Sequence, residues 1–72
     1  MKKYDKTMLL KKHILRNGTK HLQMRKDDEG WCVTGVYKER VLQACGKTRH
    51  HALLEFEFMT ARIDWEEIHG RD

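Results

Sequence analysis

The chain has 72 residues, 39% of them hydrophobic and 36% charged, with a formal net charge of +4. A chain this short buries only about 60% of the surface it would expose unfolded, so it makes one domain with one thin core. That leaves nothing for a second core within these residues, and no stretch approaches the roughly 20 apolar residues of a membrane span, while two tryptophans and evenly spread branched residues argue against a disordered polymer.

A single domain over residues 1–72 is expected, with residues 1–6 as a flexible basic arm. Only Met8-Leu9-Leu10 follows that arm before Lys11 and Lys12, far short of a signal-peptide apolar region. A cytoplasmic location follows as the expectation, with Cys32 and Cys45 as reduced thiols that behave as small hydrophobes. The charge is polarised. Residues 1–26 hold nine Lys or Arg against Asp5, residues 27–51 balance, and residues 52–72 hold six acids against Arg62 and Arg71.

Without proline, glycine and asparagine carry the turns. Asn17-Gly18 suits a type I′ turn, whose two central residues need positive φ. It predicts a hairpin between residues 9–16 and 19–25, pairing Leu15 with Lys20, Ile14 with His21 and His13 with Leu22. Leu9, Leu15, Leu22 and Met24 would share one face, with Lys12, Arg16, Thr19, His21, Gln23 and Arg25 on the other. A short helix over residues 6–16 is the rival reading. The strand is preferred because the turn needs something to connect.

Asp27-Asp28-Glu29-Gly30 reads as a second turn, and residues 31–37 as a strand rich in β-formers. A tight reversal at Lys38-Glu39 pairs Val36 with Val41, Thr34 with Gln43 and Cys32 with Cys45, although Lys-Glu suits a primed turn poorly. Trp31, Val33, Leu42 and Ala44 form the expected buried face, with Gly35 as a bulge or close-approach point. Thr48 is the predicted N-cap of a helix that follows. At about 100° per residue, Ala52, Leu53, Phe56, Met59 and Ile63 fall on one stripe. Leu54, Phe58, Ala61, Trp65 and Ile68 fall on another, nearly opposite. A strand bulged at Phe58-Met59 is the alternative, and Asp64-Trp65-Glu66-Glu67 has the spacing of a capping box that would restart a helix. The fold class expected is α+β: a small antiparallel sheet of three to four strands in meander order, packed against one C-terminal helix.

Candidate chemistry is sparse. Cys32, Cys45, His50 and His51 lack the short ligand pairs of structural zinc, so no metal or other cofactor is expected. The proposed pairing would also permit a Cys32–Cys45 disulfide, which a reducing compartment disfavours. There is no serine, Cys45 near His50 is the one nucleophile–base pairing, and no glycine-rich phosphate loop occurs. The expectation is a non-enzymatic binding protein with no small-molecule substrate.

Two partners fit. Lys11, Lys12, Arg16, Lys20, Arg25 and Lys26 on a basic ribbon would hold nucleic-acid phosphates, with Gln23 reading base edges. A sheet backed by one helix resembles, in topology alone, the arm-binding domains of phage integrases and the plant AP2 domain; no motif of either stands in these residues. The alternative is a protein-binding inhibitor or adaptor of the kind phages and mobile elements encode. It would act, or form a homodimer, through Leu54, Phe58, Ala61, Trp65 and Ile68.

Overall fold

The computed structural model describes residues 6–69. In chain order these form α1 (Lys6–Arg16), β1 (Lys20–Asp27), β2 (Gly30–Tyr37), β3 (Arg40–Gly46) and α2 (Arg49–His69). The strands make one antiparallel sheet in the order β1-β2-β3. It is an α+β fold with two helices rather than one, and no fourth strand is present among the described residues. None of its helices is long and apolar enough to cross a membrane.

The first departure from expectation is α1. Residues 9–16 are helix, not strand, and the hairpin at Asn17-Gly18 does not form. Leu, Met, Lys and Arg are good helix formers, and the Leu10/Ile14 spacing turns both side chains into the core, where Ile14 is buried. Asn17-Gly18 instead ends the helix in a Schellman arrangement. The Gly18 N–H donates to the Leu15 carbonyl at 3.1 Å and the Thr19 N–H to the Ile14 carbonyl at 3.4 Å. Gly18 sits at φ +110°, where a side chain would be strained. The positive-φ tolerance that marks a primed turn marks a helix C-terminus equally well.

The sheet follows the expected register closely. Val36 pairs Val41, Thr34 pairs Gln43 and Cys32 pairs Cys45. Lys38 and Glu39 both adopt positive φ, 51° and 65°. No glycine relieves that turn; tertiary contacts of Lys38, described below, hold it. At the other reversal Asp27 Oδ1 accepts the N–H groups of Glu29 and Gly30, each at 3.0 Å. The β1–β2 register shifts between Lys20 and Gln23, a bulge that inserts one residue and so keeps both on the same face of the sheet.

α2 begins where expected, with Thr48 Oγ1 accepting the His51 N–H at 3.0 Å. It runs unbroken for 21 residues. There is therefore no bulged strand, and Asp64-Trp65-Glu66-Glu67 continues the helix rather than restarting it. Ala52, Leu53, Phe56, Thr60 and Ile63 are buried. They meet Ile14, Val33 and Ala44 in one core, flanked by Leu10, Leu22, Met24, Trp31, Leu42 and Met59. Gly35 is the predicted close-approach point. A Cβ there would stand 3.0 Å from Phe56 Cζ and 2.9 Å from Thr19 Cγ2, so its absence lets the Phe56 ring lie against the sheet. Because both helices feed this core, they lie on the same face of the sheet, and no other described element covers the opposite face.

Candidate interaction surfaces

The expected basic ribbon is divided between two elements. Lys11, Lys12 and Arg16 lie on α1, whereas Lys20, Gln23, Arg25 and Lys26 lie on β1. Lys12 is two residues before the buried Ile14, about 200° around the helix, and so turns away from the core. Arg25 is opposite Cys32, which is opposite Cys45, and Gln23 is opposite Thr34 and then Gln43. Those rows form the uncovered face of the sheet, because the intervening Val33 and Ala44 point into the core. Lys12 and Arg25 thus face opposite sides of the molecule. A change of α1 from strand to helix is enough to break the ribbon apart. Of the flexible arm expected at residues 1–6, Lys6 instead opens α1, and residues 1–5 lie outside the described residues.

Among the described residues, those cations are not neutralised by the acidic C-terminal third. Lys38 pairs with both Asp64 and Glu67, and the imidazoles of His13 and His51 lie beside the carboxylates of Glu57 and Glu55. Lys12, Arg16, Lys20 and Arg25 are exposed and take part in none of these contacts.

Cys32 and Cys45 are joined in a disulfide across β2 and β3, where free thiols were expected. The pairing register already brings the two residues opposite one another on the open face. Neither sulfur is left as a nucleophile. His50 and His51 part company as well. His51 Nε2 lies 3.5 Å from Glu55 Oε2, while His50 is half-buried and its Nδ1 has no hydrogen-bond partner.

Lys38 is the centre of a latch that the sequence does not signal. Its Nζ donates to Asp64 Oδ1 at 2.8 Å and to Glu67 Oε1 at 2.7 Å, and the Tyr37 hydroxyl donates to the same Asp64 oxygen at 2.7 Å. The bond from Lys38, then that from Tyr37, holds the Asp64 carboxyl below the ordinary carboxylate range. The Lys38 ammonium is pushed up by the same bonds, that to Asp64 first. The Tyr37 phenol is raised by burial and then by its bond to Asp64. No sequence signal points to this cluster, since its two halves lie 26 and 29 residues apart.

The second apolar stripe of α2 stands in the open, as its spacing requires. Phe58 is 61% exposed, Trp65 60% and Ile68 78%; Ala61 is exposed and Leu54 half-buried. Trp65 stacks on His69, one helical turn on, with ring centroids 4.3 Å apart. The inner stripe is filled by the sheet and α1, and no residue of the described chain covers the outer one. Sequence reasoning missed the exposure of Leu9 and Leu15 on α1, because a strand reading sent both into the core. The chain matches no protein-family model, no curated protein and no solved structure.

Proposed function

We propose that this protein is a non-enzymatic docking module, of the inhibitor or adaptor kind, that engages a protein partner through the outer stripe of α2. The observation that carries this reading is the exposure of Phe58, Trp65 and Ile68 on one face of a helix whose opposite face is buried. Single exposed apolar side chains are ordinary; several large ones in one contiguous stripe mark an interaction surface. Full burial of such a side chain contributes about 1.5–3 kcal/mol. Covering the exposed parts of these three would supply about 3–6 kcal/mol, enough to anchor an interface around an aromatic centre. The divided cations offer nothing comparable in one place.

Replacing Phe58 with a photo-crosslinking phenylalanine analogue in living cells tests the reading. The expected product is a discrete protein adduct at that position, and none when the same analogue replaces Gln43 on the open sheet face. Adducts to nucleic acid alone, or equal labelling from both positions, would contradict it. A second reading, phosphate contact by exposed cations, is favoured by one observation: Lys12, Arg16, Lys20 and Arg25 have no acidic partner among the described residues.

A further inference from the structure

Resting on the docking reading above, we propose that the partner on α2 is a second copy of this chain, seated so that α1 of each copy lies along α2 of the other. The two helices turn their inner faces into one core, Ile14 from α1 and Ala52, Leu53 and Phe56 from α2. Their outer faces are therefore on the same side of the molecule. Their charges are opposite. Lys6–Arg16 hold four Lys or Arg and no acid, whereas Arg49–His69 hold five acids against Arg49 and Arg62.

The outer faces carry matching apolar and charged elements. On α1, Lys12 and Arg16 are exposed beside Leu9 and Leu15, which are also exposed. On α2, Glu55 and Glu66 are exposed beside Phe58 and Trp65. Laying α1 on α1 would oppose cations to cations, whereas α2 offers α1 the carboxylates of Glu55 and Glu66 with the exposed Arg62 between them. The crossed arrangement covers the exposed apolar side chains of both helices and gives Lys12 and Arg16 carboxylate partners. It is also closed: a two-fold axis uses each helix once and leaves no sticky face to propagate a chain of copies. Within one copy the two helices also meet through polar side chains, where His13 Nε2 lies 3.4 Å from Glu57 Oε2.

The test is the mass of the full chain by light scattering and sedimentation, at rising concentration to about 1 mM, the weak end of specific affinity. A dimer is expected, with a dissociation constant raised at least about tenfold by Trp65→Asp and by the double variant Lys12→Glu/Arg16→Glu. A second double variant, Glu55→Lys/Glu66→Lys, should also fail to self-associate. Mixing the two double variants should restore a one-to-one dimer, because each helix then meets its opposite again. Circular dichroism on each variant alone establishes that it is folded, and a folded pair that stays monomeric on mixing overturns the proposal. So does a wild-type chain that is monomeric throughout, or a dimer indifferent to the α1 charge reversal. A monomer whose residue 58 still crosslinks to a different protein would sink the second-copy assignment and leave the docking reading standing. A monomer that gives no protein adduct would remove both.

Discussion

Reducing the Cys32–Cys45 disulfide should cost this protein a large share of its stability. The bond lies thirteen residues apart in sequence and joins neighbouring strands of the sheet. In the chain-entropy account, tying off a loop of about 14 residues removes enough freedom from the unfolded chain to stabilise the fold by about 3 kcal/mol. A 72-residue domain is expected to have a total stability of about 4–11 kcal/mol. Unfolding entropy near the midpoint scales at about 2.1 cal/mol/K per residue, so a loss of that size lowers Tm by roughly 20 °C. The assay is thermal unfolding followed by circular dichroism, with and without reductant, and with Cys32→Ala/Cys45→Ala as the control. The wild-type chain should melt near the control's temperature when reduced and well above it when oxidised. A shift under about 5 °C would refute the reasoning. It would mean that the Lys38-Glu39 turn keeps the two strands together in the unfolded chain, so that the covalent bond constrains little.

The Tyr37–Lys38–Asp64 latch makes stability depend on pH. The Asp64 carboxyl binds its proton less readily folded than unfolded, so the latch stabilises the fold above the ordinary value of 3.8 and that contribution fades as pH falls through it and below. Acid titration of Asp64→Asn should show a shallower loss of stability in that range, and an unchanged acid limb would contradict the assignment. Gly35→Ala should destabilise by about 1–3 kcal/mol in denaturant titration, because the new methyl group meets the Phe56 ring and Thr19 at 3.0 Å and 2.9 Å; a neutral effect would show that the ring can move aside. If the exposed cations do contact nucleic acid, one duplex can engage α1 or the open sheet face but not both. Two or three phosphates are then neutralised, and anisotropy titrations should give a log–log salt slope of about −2 to −3. A slope near −5 would indicate that all the basic residues act together, as they would on a single ribbon.

How far the sequence could be read differs from element to element. The β2–β3 register was legible because a two-residue period admits few pairings once the reversal at Lys38-Glu39 is placed, and Val36–Val41, Thr34–Gln43 and Cys32–Cys45 all follow. The Thr48 cap and the two stripes of α2 were legible because one residue type and one periodicity carry them. Residues 6–16 were not, because Leu and Lys in this spacing suit either a strand or a helix, and Asn17-Gly18 serves a hairpin and a helix end alike. The disulfide was visible as geometry, and the expectation of a reducing compartment weighed against it.

Local pattern, then, determined where the chain turns, how β2 meets β3, and that α2 has two apolar sides. Whether residues 6–16 become helix or strand depended on the neighbours available to Leu10 and Ile14, and these include Val33, Ala44, Leu53 and Phe56 from β2, β3 and α2, well beyond the reach of local pattern. That tertiary choice carried Lys11, Lys12 and Arg16 away from Lys20 and Arg25, and left Phe58, Trp65 and Ile68 of α2 exposed on its outer side. Period and propensity act over a few residues, whereas burial is decided by whatever else the whole chain brings to the same place.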